Sequence, residues 1–206
     1  MLNRRLAYIH FAALLVIWSL PLPAAARSAS SNGSPAVADS SSIRIDNFGR
    51  INPNYYRGAQ PRGRDYADLA ALGVKTVIDL TGDDGQPEEK RMAETAGMAY
   101  VRFPMTTHTP PSAETVSQFL KILDDPARLP VYVHCVGGRH RTGVMTAAYR
   151  MSHEGWSADQ AFAEMKRYKF GADFLHSEFK AFVYGYHPTV GDNAARLGPV
   201  ATKAGN

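Results

Sequence analysis

Residues 130–143 constrain the fold of this chain more than any other stretch. Pro130-Val131-Tyr132-Val133-His134 is a short apolar run of the kind that forms a strand buried on both faces. Cys135 follows, then a tight turn containing Gly137 and Gly138, and a helical pattern begins near Arg141. A strand that feeds a glycine loop and then a helix belongs to an open sheet covered by helices. The loop then sits at the carboxyl end of the strand, where such sheets bind ligands.

The flanking sequence points the same way. Residues 54–59, 75–80 and 99–103 are further short strand candidates. Helical patterns cover residues 65–72, 86–96, 112–123 and 173–186, and another begins at Ser157. Within them, Val116, Phe119, Leu120 and Leu123 share one face. Ser157 and Gln160 form a capping box, and Ala161, Phe162 and Met165 line one side of the helix they open. The predicted class is α/β, with a largely parallel central sheet flanked by helices.

A length of 206 residues favours one domain. Residues 1–26 read as a secretory signal peptide. Arg4 and Arg5 precede an apolar core, Pro21 and Pro23 break it, and Ala24-Ala25-Ala26 offers a cleavage site. The alternative is an uncleaved membrane anchor, because residues 6–22 are nearly long enough to span a bilayer. Residues 27–44, rich in Ser and Ala, read as a flexible linker, and residues 189–206 as a disordered tail. That leaves 45–188 as the folded domain. The expected location is outside the cytoplasm, periplasmic or secreted, with no stable membrane span after processing and a monomeric state.

The formal charge is +4, from 23 basic and 19 acidic residues. Loss of Arg4 and Arg5 with the signal reduces the excess to two, so basicity gives no argument for nucleic acid. Export usually means an oxidising compartment, where small domains use paired cysteines. Cys135 is the single cysteine, so no internal disulfide can form. A lone thiol there is a liability unless its chemistry is used.

The loop Cys135-Val136-Gly137-Gly138-Arg139-His140-Arg141-Thr142-Gly143 supplies a reason to keep it. Glycines let backbone N–H groups turn inward as an anion-binding nest, and the helix start adds its own free N–H groups and dipole. Arg141 offers a two-pronged fork to phosphate oxygens. The same field favours the thiolate form of Cys135. The Thr142 hydroxyl is placed to assist departure of the sulfur. A buried, inert thiol is the plainer alternative. A zinc site from His134, Cys135 and His140 has the wrong spacing and no second cysteine.

His-Cys, five residues, then Arg-Thr-Gly resembles the signature of the protein tyrosine phosphatase superfamily. Closer still is the atypical dual-specificity group of plants and fungi with its bacterial relatives, whose loop reads Cys-x-x-Gly-Lys-His-Arg-Thr-Gly. Asn54-Tyr55-Tyr56-Arg57-Gly58-Ala59-Gln60-Pro61 and Leu72-Gly73-Val74-Lys75-Thr76-Val77-Ile78-Asp79-Leu80 also resemble that group. The resemblance spans roughly residues 48–186. It implies a cysteine-phosphatase fold, with Cys135 as nucleophile and Arg141 as phosphate clamp. Val136, Gly137, Gly138, Arg139, His140, Arg141 and Thr142 would bind phosphate, and His134 would brace the loop. It implies no cofactor and no metal. The partner is then a phosphorylated protein or a small phosphorylated molecule, with no nucleic acid.

One departure bears on mechanism. Many relatives carry an aspartic acid as general acid on the loop after a strand like 99–103. Residues 103–112 here contain no carboxylate. Asp84 is the preferred substitute, with Asp83 and His108 as alternatives; turn formation beside Gly82 and Gly85 would equally account for the Asp pair. Arg57 and Arg62 would add to a basic entrance by the same resemblance. The expected activity is hydrolysis of phosphotyrosine or mixed phosphoprotein monoesters through a phosphocysteine. Alternatives are inositol polyphosphates or pyrophosphates as substrates, a catalytically inactive phosphate-binding module, and a rhodanese-type sulfur transferase, which the Arg-Thr-Gly ending fits poorly.

Overall fold

The computed structural model describes residues 43–188. The signal peptide expected at 1–26, nearly all of the linker and the tail at 189–206 lie outside the described residues.

Five strands form one sheet in the order β1-β2-β5-β3-β4. They are β1 (Gly49–Asn52), β2 (Tyr55–Ala59), β3 (Thr76–Thr81), β4 (Ala99–Met105) and β5 (Val131–Cys135). Strands β2, β5, β3 and β4 run parallel, and β1 pairs antiparallel with β2 at one edge. The helices are α1 (Asp65–Ala71), α2 (Glu89–Thr95), α3 (Ala113–Leu123), α4 (Arg141–Glu154), α5 (Ala158–Arg167) and α6 (Ser177–Gly185). A 3₁₀ turn (Asp173–His176) precedes α6. The α/β class and the mostly parallel sheet read from the sequence are what the structure has.

The antiparallel edge strand β1 was not expected. Its sequence, Gly-Arg-Ile-Asn, buries only Ile51 fully, so it carries little strand signal of its own. It forms because β2 offers it an unpaired edge. The last predicted helix is also shorter, since residues 173–176 tighten into 3₁₀ geometry before α6 begins. Ser112 caps α3 by accepting from the Thr115 N–H, and Ser157 and Gln160 close the expected box at α5.

The central strand β5 is buried along its whole length. Successive side chains of a strand point to opposite faces. Val131, Val133 and Cys135 therefore face a core shared with Phe119 of α3, Val144 and Met145 of α4, Met165 of α5 and Phe179 of α6. Tyr132 faces the other core, with Tyr66 and Leu69 of α1 and Ala93 of α2. Burial of a side chain such as Phe119 contributes about 2–3 kcal/mol. This alternation also sends Cys135 and His134 to opposite faces, so each is held by different helices.

Candidate active site

The site begins where β5 ends. Cys135 is 3% exposed and is the first residue of a loop that closes at Arg141, the first residue of α4. The rest of the protein grips this loop by its carbonyl oxygens. The Gln60 N–H donates to Val136 O at 3.2 Å. Asn47 Nδ2 donates to Gly138 O at 2.8 Å and to Gly137 O at 3.4 Å, and Arg57 Nη2 donates to Gly138 O at 2.6 Å. With these carbonyls turned outward to the scaffold, the amide hydrogens of the same peptides turn to the inside of the loop. That is the arrangement an anion requires.

Glycine is needed at two points here. Gly138 has φ +63°, and a Cβ on it would lie 2.3 Å from the backbone of Gly58. A Cβ on Gly58 would in turn lie 2.3 Å from the Tyr132 hydroxyl, which donates to Ala59 O at 2.6 Å. The loop is therefore seated backbone to backbone on β2.

Arg57 is fully buried beneath the loop, with its guanidinium 4.0 Å from the centre of the Tyr168 ring. It belongs to the scaffold and does not line an entrance, contrary to the sequence expectation. Its Nε and Nη1 have no hydrogen-bond partner among the described residues. Arg62 is exposed, on the rim near Val136.

His134 turns away from the cysteine, and its Nε2 lies 2.8 Å from Glu89 Oε1, with both side chains fully buried. Gln60 Nε2 donates to the other oxygen of Glu89 at 2.7 Å. Glu89 thus ties α2 to the strand residue preceding the cysteine. It was missed in the sequence because it stands in the charged run Glu88-Glu89-Lys90-Arg91, which reads as a solvated helix face. Asn47 was missed as well. It has φ +55° and braces the loop from 90 residues away.

His140 is half-buried. Its Nε2 lies 2.9 Å from Phe170 O, and its ring stands 3.7 Å from that of His176. Burial pushes its pKa below the usual 6.5, so it is neutral at pH 7 and adds no charge beside the cradle. Arg139 is exposed, 3.9 Å from Asp46. The Thr142 hydroxyl is buried and without a hydrogen-bond partner among the described residues.

Arg141 is nearly buried and stands at the opposite end of the loop from Cys135. Its fork is held by Asp84: Nη1 to Oδ1 at 2.8 Å and Nη2 to Oδ2 at 2.7 Å. Nη1 donates in addition to Met105 O at 3.1 Å. The Arg141 guanidinium holds the Asp84 carboxyl below the usual carboxylate range. A cleft of about 340 Å³ opens beside this pair, lined by Asp83, Asp84, Pro104, Met105, Thr106, Thr107 and Arg141. Of the three candidate proton donors, Asp84 and Asp83 line this cleft. His108 does not; its Nδ1 lies 3.2 Å from Glu178 Oε1.

Residues 36–182 match a family model described as a DSP-PTPase phosphatase fused to NAD+ kinase. The matched span contains every residue of the loop. The chain belongs to the DSP-PTPase phosphatases. It is a cysteine-dependent phosphatase, with the fold of that group. Among its relatives, the dual specificity protein phosphatase TpbA of Pseudomonas aeruginosa is 32% identical over 174 residues, which cover 84% of this chain and 78% of the relative. A cysteine-to-serine variant of TpbA, solved in complex with pTyr, superposes with a TM-score of 0.59 at 30% identity, over 74% of this chain and 91% of that one. The core catalytic domain of a PP-IP phosphatase from S. cerevisiae, solved with citrate, gives a TM-score of 0.61 at 25% identity, over 69% and 86%.

Proposed function

We propose that this DSP-PTPase hydrolyses phosphotyrosine or mixed phosphoprotein monoesters through a phosphocysteine at Cys135. The observation that carries the reading is the loop itself, with its carbonyls bound to the scaffold, Cys135 at one end and Arg141 at the other. A phosphate dianion fits inside that ring, with two oxygens on the Arg141 fork and the others on amides of residues 136–141.

The thiolate sulfur then attacks phosphorus as the bond to the leaving oxygen breaks. That oxygen needs a proton when it is a poor leaving group. Asp84 supplies it in this reading. While paired with Arg141 it is ionised. Substrate phosphate replaces it on the fork, and the new negative neighbour favours the protonated acid. In the second step water attacks phosphorus, the sulfur leaves, and the free Thr142 hydroxyl donates to it. His134, held by Glu89, positions the end of β5.

The substrate class draws support from the pTyr complex of TpbA and from a cleft with Pro104 and Met105 walls beside Arg141. A second reading, cleavage of inositol pyrophosphates, draws support from the PP-IP phosphatase likeness and from the missing carboxylate at 103–112. Neutral His140 adds no charge to the rim, which suits it less to a polyanion. We also propose export, on the signal-like residues 1–26, and N-terminal sequencing of the mature protein tests it.

The deciding experiment assays purified protein on an aryl phosphate, a phosphotyrosyl peptide and an inositol polyphosphate panel, alongside Cys135→Ser. Turnover that persists in the serine variant refutes the nucleophile. Binding without turnover by the wild type means an inactive phosphate-binding module. Faster turnover of the inositol panel establishes the second reading.

A further inference from the structure

Two histidines and a carboxylate meet at the edge of the phosphate loop, although they are far apart in the chain. His108 comes from the loop after β4, His176 from the 3₁₀ turn, and Glu178 from the first turn of α6. His108 Nδ1 lies 3.2 Å from Glu178 Oε1, and His176 Nδ1 lies 3.7 Å from the same oxygen. One ligand atom from each of the three lies within 4.8 Å of the others. Ligands at about 2.0–2.2 Å around a tetrahedral ion stand about 3.3–3.6 Å apart. Two of these separations are therefore already close to what an ion would impose, and the third closes by a small rotation of an exposed imidazole. The Thr107 carbonyl accepts a hydrogen bond from His176 Nδ1 at 3.1 Å, which an ion on that nitrogen would replace.

The sign of the charge decides which kind of ion fits. A carboxylate facing both imidazoles repels a phosphate and attracts a cation. The donor set then decides the class of cation. Two imidazole nitrogens with one carboxylate suit borderline ions such as Zn²⁺, whereas Mg²⁺ and Ca²⁺ prefer all-oxygen sites. We propose that His108, His176 and Glu178 form a binding site for a divalent transition-metal ion of the Zn²⁺ type.

Binding displaces whatever protons the ligating nitrogens carry and neutralises Glu178. It links the loop after β4 to the 3₁₀ turn, beside His140, whose ring is 3.7 Å from that of His176. The site is separate from Cys135 and is not needed for turnover, so it stands or falls independently of the phosphatase mechanism.

The test is calorimetric titration of Zn²⁺ into metal-free protein carrying Cys135→Ser, which removes the thiol as a competing ligand. The expected result is one ion per chain, with affinity reduced at least roughly 100-fold by His108→Ala and by Glu178→Gln. The His108 side chain is 70% exposed, so its removal leaves the fold intact. X-ray absorption should show imidazole and oxygen ligands, without sulfur, in the wild type. Affinity within about threefold of the parent in both variants overturns the site. So does Zn²⁺ binding that disappears with Cys135→Ser, or displacement of bound Zn²⁺ by orthophosphate competing for the same residues.

Discussion

Asp84→Asn separates the two roles that Asp84 carries in the proposed mechanism. In the resting enzyme its carboxylate occupies both nitrogens that would hold substrate phosphate, at 2.8 and 2.7 Å. Substrate must break that pair before it binds. The Arg141 side chain is 4% exposed, but that of Asp84 is 43% exposed, so solvent screens the interaction. Discounted in this way, the pair is worth about 1 kcal/mol. Asparagine keeps the size and loses the charge. Its removal should tighten inhibition by orthophosphate about fivefold, the equivalent of that energy. The proton-donor role predicts the opposite effect on turnover. With a poor alkoxide leaving group, kcat should fall by at least about 100-fold, and with p-nitrophenyl phosphate by much less. The assay is steady-state kinetics on both esters together with the orthophosphate inhibition constant. An unchanged inhibition constant would refute the competition argument. Equal losses of kcat on the two esters would refute the proton transfer.

Three further predictions follow from the same geometry. Gly138→Ala places a Cβ 2.3 Å from the Gly58 backbone at φ +63°, so the loop must shift; kcat should fall at least about 100-fold, and near-wild-type activity would contradict the backbone seating. Glu89→Ala leaves His134 and Gln60 buried without their partner; urea unfolding should show a loss of about 3 kcal/mol, and a loss below about 1 kcal/mol would mean the contact is not structural. His140 is held neutral by burial, with its pKa below 6.5. Its contribution to stability is complete above about pH 6.5 and is lost as pH falls through the lowered value, because the unfolded chain binds the proton more readily. Thermal melts from pH 7 to pH 5 should show that decline, and His140→Gln should flatten it.

The reach of the sequence can be followed residue by residue. Segment 130–143 determined a buried strand, a glycine loop and a helix start, since each of those is a local preference of a few consecutive residues. The positions of Cys135 and Arg141 at the two ends of the loop came with it. The same locality made α3 and α5 legible through Ser112 and Ser157. What the sequence left open was decided by contacts between distant segments. Asn47 and Arg57 hold the loop carbonyls across 81–91 residues. Glu89 reads as surface charge until α2 packs against β5. Strand β1 exists because β2 presents an edge. Asp84 was placed on the correct edge of the sheet by strand order, but its partner was not predictable, because only the folded chain brings a carboxylate from the β3 loop onto a guanidinium at the start of α4. Local pattern sets what each segment becomes, while burial and charge pairing between segments set what each side chain faces.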